Sequence, residues 1–248
     1  MRPLIGIPPC LDDAGRWRAS RETHYADAAY ARAIAEAGGL PVLLPLQPEV
    51  GSLVERVDGL LVPGGDDLLP DAADAHRYPA AVRFEPTPAR QLAFDRALLA
   101  AVLERGRPVL GICYGMQLMA LHGGGRLHFD LPTDLPDAGE HRLAEPDARH
   151  ALRLEAGSRL ADLLGAGATS VNSRHHQAVA EPGAARVTAR AEDGVIEALE
   201  LPGSRFALGV QWHPESMDAP HREALFGAFV RACADAAAGA GRASEGRG

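Results

Sequence analysis

Three residues in this chain of 248 could supply a nucleophile, a base and an orienting acid: Cys113, His213 and Glu215. Cys113 lies in Val109-Leu110-Gly111-Ile112-Cys113-Tyr114-Gly115-Met116-Gln117. This stretch reads as an apolar strand that stops at the cysteine, turns between two glycines and leaves as a helix through Met116, Leu118 and Met119. The Gly-x-Cys-x-Gly frame is the cysteine form of a nucleophile elbow. A strand-to-helix turn this tight strains its central residue and needs neighbours without bulky side chains. It lifts the thiol over the carboxyl edge of a sheet, where a helix N-terminus favours the thiolate. The glycine frame alone also suits a buried structural cysteine, because free Cys is among the most buried residue types.

The partners lie a hundred residues on. Gly209-Val210-Gln211-Trp212-His213-Pro214-Glu215 reads as an apolar strand ending in His, Pro and Glu. Pro214 cannot continue a helix, so His213 and Glu215 are expected in extended backbone, where residues two apart point the same way. An imidazole beside a carboxylate at a strand end is the base and orienter that a thiol nucleophile needs. Alone, the pair also suits a surface histidine with a local carboxylate; with the elbow upstream, the catalytic reading is preferred.

Composition narrows the classes. A hydrophobic content of 46% in a chain of this length is enough for one substantial core or two small ones. There is no run of about twenty apolar residues to span a membrane, and Met1 to Pro9 makes a poor secretory signal. Three widely spaced cysteines, Cys10, Cys113 and Cys233, argue against a disulfide framework and fit a cytoplasmic protein. The formal net charge is -8 and every one of the 25 basic residues is Arg, with no basic patch, so nucleic acid is a poor partner. The absence of Lys excludes Schiff-base and lysine-nucleophile chemistry.

The elements that must position these residues follow in order. Strands are expected at Leu4-Ile7, Pro41-Leu44, Gly59-Val62 and Pro108-Cys113, with a helix from Glu22 to Ala37 closed by Gly38-Gly39. Thr87-Pro88 reads as a cap and a first-turn proline for a helix ending at Gly106. Apolar strands alternating with helices predict an α/β fold: a three-layer sandwich with a mostly parallel central sheet and helices on both faces. Residues 122–150, rich in Gly, Pro, Asp and His, read as a long surface excursion. Short strands at Ala151-Leu154, Thr169-Asn172, Ala185-Ala189, Val195-Leu201 and Phe206-Gln211 are expected to add antiparallel to the same sheet. A last helix from His221 to about Ala234 closes a single domain, 1–235, and 236–248 is expected to be a disordered tail.

The Cys113 and His213/Glu215 stretches resemble the triad of class I glutamine amidotransferase domains. More closely, the chain resembles the free-standing gamma-glutamyl-gamma-aminobutyrate hydrolase (peptidase C26) branch. That match is carried by residues 37–45, 62–67, 171–179 and 191–198, in the family's order. Two departures stand out. Tyr114 replaces the Arg that usually follows the cysteine in this branch, and the Gly64-Gly65-Asp66-Asp67 turn lacks a third glycine and the usual Tyr-Gly ending.

The resemblance implies a cofactor-free hydrolase of gamma-glutamyl amides that acts through a thioester. Cys113 would attack, His213 would shuttle the proton and Glu215 would hold the imidazole. Backbone N–H groups of Gly65 and Tyr114 would form the oxyanion hole, and Gln117, Ser173, Arg174, His175 and His176 would contribute to substrate binding. One of the two adjacent histidines is expected to face substrate and the other to be buried and hydrogen-bonded. Neighbours on a strand point to opposite faces, so both binding one metal is not expected, and no other Cys or His spacing suggests a metal site. Relatives often act on polyamine- or amino-acid-derived gamma-glutamyl compounds. The resemblance admits a homodimer. The alternative is a glutaminase that feeds ammonia to a separate synthetase partner, and a third reading is a non-catalytic ligand-binding protein on the same fold.

Overall fold

A computed structural model describes residues 2–145, 147–165 and 168–245. The chain begins with β1 (Leu4–Ile7) and a small ribbon of β2 (Cys10–Asp12) and β3 (Thr23–Tyr25), followed by α1 (Ala28–Glu36) and β4 (Leu40–Leu43). α2 (Gly51–Arg56), β5 (Gly59–Val62), α3 (Ala89–Glu104), β6 (Val109–Ile112) and α4 (Tyr114–His122) come next. β7 (Arg126–His128), α5 (Leu131–Asp134), β8 (His150–Leu154), α6 (Arg159–Leu164) and β9 (Ala168–Val171) lead into the second half. β10 (Ala178–Glu181), β11 (Arg186–Ala191), β12 (Ile196–Glu200), β13 (Ala207–Val210) and α7 (Ala219–Glu245) complete the chain.

Eleven strands form one sheet with the main order β4-β1-β5-β6-β13-β12-β11-β8-β9; β10 pairs with β12 and β7. The five strands from β4 to β13 are parallel to one another. From β12 onward every pairing is antiparallel. β5, β6 and β13 are buried at every position, because helices cover both faces. Alternate residues feed the two cores. Leu61, Leu110, Ile112, Leu208 and Val210 meet α1 and α7 through Ile34, Phe226 and Phe229. Leu60, Val62 and Val109 meet α2, α3 and α4 through Val54, Leu98 and Met116. Truncating a fully buried residue such as Leu110 to Ala would cost about 2–5 kcal/mol. The α/β three-layer sandwich with antiparallel additions is therefore the fold.

Several local expectations are corrected. α1 starts at Ala28, not Glu22, because Asp27 caps it by accepting from the Ala29 N–H, while Thr23–Tyr25 pair with β2. Thr87 does not cap α3: its hydroxyl donates to the Asp66 carbonyl and Pro88 takes the cap position. The 122–150 excursion contains β7 and α5, and β7 pairs with β10. α7 runs to Glu245 rather than stopping near Ala234, in keeping with the high helix propensity of its Ala-rich end. Only 246–248 of the expected tail lie outside the described residues. Among the described residues, no helix is long and apolar enough to cross a membrane.

Candidate active site

Parallel pairing brings the separated sequence motifs together. In β5 and β13, Val62 and Gly209 are both in register with Gly111 of β6, so all three strands end side by side. The residues just past those ends are Gly64-Gly65, Cys113 and Gln211-Trp212-His213. Cys113 sits at φ +51°, one of two non-glycine residues in the left-handed region among those described, and it caps the N-terminus of α4. This is the strained elbow the sequence predicted. A Cβ on Gly115 would collide with the Val62 carbonyl oxygen, so the helix can leave the elbow this close to β5 only with glycine there.

His213 Nδ1 donates to Glu215 Oε1 at 2.7 Å, and the Glu215 side chain is almost wholly buried. The backbone between them is a single 3₁₀ turn, Pro214–Ser216, rather than the extended segment expected. The turn bends the carboxylate back under the ring, so the pair still meets. Burial alone would lower the His213 pKa; hydrogen bonding to Cys113 and Glu215, with their charges, outweighs it and raises the pKa to about 10. Tyr30 Oη lies 3.3 Å from His213 Nδ1 and accepts the Gly64 N–H at 3.0 Å. A Cβ on Gly64 would come within 2.7 Å of His213 Cε1, so this close approach also needs glycine.

Three polar contacts around the pair were not legible from residue types. Gln211 is fully buried, and its Nε2 donates to Cys113 Sγ at 3.4 Å. Gln117 Nε2 donates to Gln211 Oε1 at 3.4 Å and to the Gln177 carbonyl at 3.1 Å. Asn172 grips the His213 backbone at both its amide and its carbonyl. The only sequence hint for Gln211 is its place two residues before His213, at the end of a strand beside the elbow.

A cavity of about 500 Å³ opens over the pair, lined by His213, Glu215, Gly64, Gly65, Tyr25 and Arg174, with Trp17 at its rim. The β2/β3 ribbon forms one wall. Arg16 pairs with Asp66, which also accepts from Tyr25 Oη, and the Trp17 and Tyr25 rings lie 5.7 Å apart. Trp17 is 64% exposed. Among the described residues, neither the Gly65 nor the Tyr114 backbone N–H donates a hydrogen bond. The Tyr114 side chain points away from the cavity and donates to Asp95 at 2.9 Å.

Of the residues expected to bind substrate, only Arg174 lines this cavity. Gln117 is buried beneath Cys113, and Ser173 donates its hydroxyl to the His141 carbonyl. The two adjacent histidines do diverge, although they lie between β9 and β10 rather than in a strand, and neither lines the cavity. His176 bridges Asp67 and Asp130, while His175 turns into a buried group with His141, His150 and Glu197. No spacing in the sequence announces that group, because its members come from four separate segments.

Sheet order and elbow define a class I glutamine amidotransferase-like α/β fold. Two solved structures share the fold. A Thermoplasma acidophilum protein, provisionally described as part of a GMP synthase, has a TM-score of 0.65 at 17% identity, covering 95% of this chain and 96% of that one. A glutamine amidotransferase from Methylobacillus flagellatus has a TM-score of 0.54 at 18% identity, covering 89% of this chain and 73% of that one.

The sequence matches the peptidase C26 family over residues 3–215, and the chain belongs to that family. It is 35% identical to a gamma-glutamyl-gamma-aminobutyrate hydrolase of Escherichia coli O157:H7, over 93% of both chains. It is 41% identical to a Mycobacterium tuberculosis protein provisionally named a glutamine amidotransferase, over 98% of this chain and 78% of that one. The family and its hydrolase relatives support hydrolase activity.

Proposed function

We propose that this protein hydrolyses gamma-glutamyl amides through a glutamyl thioester on Cys113. The observation that carries the reading is the convergence of Cys113, His213 and Glu215 at the ends of adjacent parallel strands, beside a cavity of substrate size.

The Cys113 sulfur attacks the side-chain carbonyl carbon, and the C=O π pair moves onto oxygen. The free N–H groups of Gly65 and Tyr114 receive that oxyanion. As the intermediate collapses, the C–N bond breaks and the amine leaves with the proton held by His213. The raised pKa of His213 keeps that proton in place near neutral pH. Water then attacks the thioester, giving its proton back to His213. The C–S bond breaks, glutamate is released and the sulfur is restored. Glu215 fixes the ring throughout, and Gln211 steadies the sulfur with one N–H. Arg174 is the cation available to the glutamyl carboxylate. Gln117 acts from below by holding Gln211, while Ser173, His175 and His176 lie outside the cavity and take no part in binding.

A second reading, a glutaminase that supplies ammonia to a separate synthetase, is favoured by the name of the 41%-identical relative and by Tyr114 in place of Arg. Glutamate release from gamma-glutamyl-gamma-aminobutyrate, other gamma-glutamyl amines, a gamma-glutamyl dipeptide and glutamine, each against Cys113→Ala, separates the two. Turnover of an amine or dipeptide substrate that is lost in the variant is the expected result. Weak activity on glutamine alone would replace the first reading with the second.

A further inference from the structure

Outside the active site, the largest concentration of unsatisfied buried polar atoms lies on one small group of side chains. His141 Nδ1, His150 Nε2, His175 Nε2 and both oxygens of Glu197 are buried without a hydrogen-bond partner among the described residues. Five such atoms in one place would be costly, since an unpaired buried polar group costs about 1–3 kcal/mol. They are not scattered. One ligand atom from each residue lies within 4.8 Å of all the others. The three ring nitrogens stand 3.2, 3.7 and 3.4 Å from Glu197 Oε1, for His141, His150 and His175 in turn. A tetrahedral ion with bonds of about 2.0–2.1 Å spaces its ligand atoms about 3.4 Å apart.

The far side of each ring is anchored. His141 Nε2 meets Asp193 Oδ2 at 2.9 Å, His175 Nδ1 meets the Gln177 carbonyl at 3.0 Å and His150 Nδ1 meets the Ala151 carbonyl at 3.3 Å. Those contacts place an N–H on the outer nitrogen, so in the neutral ring the inner nitrogen carries the lone pair. Asp193 is itself fixed by the N–H groups of Gly139 and Val195. A carboxylate or carbonyl behind each imidazole is the outer arrangement that orients metal-binding histidines.

We propose that His141, His150, His175 and Glu197 bind a structural Zn²⁺ ion. Three imidazoles and a carboxylate at this spacing suit a small tetrahedral cation. Mg²⁺ and Ca²⁺ take six or more oxygen ligands. Four protein ligands leave no open position, so the ion has no catalytic role of its own. None of the four residues lines the cavity at His213. A separate cavity of about 250 Å³, lined by His141, His150 and Asp193, gives the ion a route in.

The consequence is architectural. The ion ties the 122–150 excursion (His141), the start of β8 (His150), the segment before β10 (His175) and β12 (Glu197) to one point. Two of these reach the active site: the Glu197 carbonyl accepts the Gln211 N–H, and His175 lies three residues from Asn172.

Tag-free protein purified without chelator should carry one zinc ion per chain by elemental analysis. After stripping, it should take up Zn²⁺ stoichiometrically in competition with a chromophoric chelator, with a rise in thermal midpoint. His150→Ala, at the least buried ligand, should fold, lose that uptake and lose the thermal rise. Asp193→Asn should weaken binding about 10–100-fold, as expected for an outer-shell partner. Stripped wild-type protein, folded by circular dichroism, that takes up no stoichiometric Zn²⁺ would overturn the proposal, as would undiminished uptake by His150→Ala. Neither readout depends on hydrolase activity.

Discussion

Asn172 holds His213 by its backbone: the His213 N–H donates to Asn172 Oδ1 at 2.8 Å, and Asn172 Nδ2 donates to the His213 carbonyl at 2.8 Å. This amide-to-peptide pairing fixes where β13 ends and the 3₁₀ turn begins, and hence where the ring stands relative to Cys113. Asn172 does not line the cavity and meets His213 only through its backbone, so it is a positioning residue.

Asn172→Ala should therefore lower kcat about 100-fold with little change in KM, the scale of a 1 Å misplacement of a reacting group. Asn172→Asp keeps one acceptor but sets a carboxylate against the His213 carbonyl, so it should not restore the rate. A kcat near wild type in folded Asn172→Ala would remove this residue from the mechanism.

The pH profile tests His213 directly. Its pKa is raised to about 10, so the imidazolium that protonates the leaving amine persists through neutral pH and is lost as pH rises through that value. Turnover of an amide should hold on the alkaline side and fall near pH 10. Glu215→Gln removes one of the groups that raise the pKa, so the alkaline limb should shift to lower pH as kcat drops. An unmoved limb in Glu215→Gln would show that another group sets it.

Trp17 stands at the rim of the cavity on the ribbon wall, far more exposed than a large aromatic ring in a packed core. An extended amine leaving group would cover it, whereas ammonia from glutamine would not. Trp17→Ala should raise KM about tenfold for gamma-glutamyl amines, corresponding to about 1.4 kcal/mol of lost apolar contact. Hydrolysis of glutamine should be unaffected. Equal effects on both substrates would mean that the ribbon acts on the glutamyl half.

How much of this was legible depended on whether the signal was local. The elbow was, because Gly111, Cys113 and Gly115 meet a steric demand within five residues. The central strands were, because burial on both faces forces continuous apolar runs such as Leu60-Leu61-Val62. The ribbon was missed: Cys10–Asp12 and Thr23–Tyr25 pair only with each other across a ten-residue loop and lack apolar alternation. Gln211 and Asn172 were hidden for a different reason. Their roles come from hydrogen bonds across 98 and 41 positions, and no spacing rule encodes those. The histidines at 175 and 176 diverge, but not from a strand and with neither lining the cavity, because what each meets lies on remote segments.

A stability cost is built in beside Cys113. Asp95 is 2% exposed and takes the Tyr114 hydroxyl at 2.9 Å; burial raises its pKa from 3.8 to about 6, against the lowering effect of its hydrogen bonds to Tyr114 and Gln91. Because the folded value lies above the unfolded one, folding favours the protonated acid. Stability should fall as pH rises from about 4 to about 6 and stay reduced above that. A rise of this size corresponds to about 3 kcal/mol at neutral pH. Asp95→Asn keeps an acceptor for Tyr114 without a charge to bury. It should stabilise the protein by about 1–3 kcal/mol near neutral pH and by little near pH 4, as read by chemical denaturation at both values. A loss of stability at neutral pH would mean that the charged carboxylate holds Tyr114, and with it the N–H beside the nucleophile, more strongly than its burial costs.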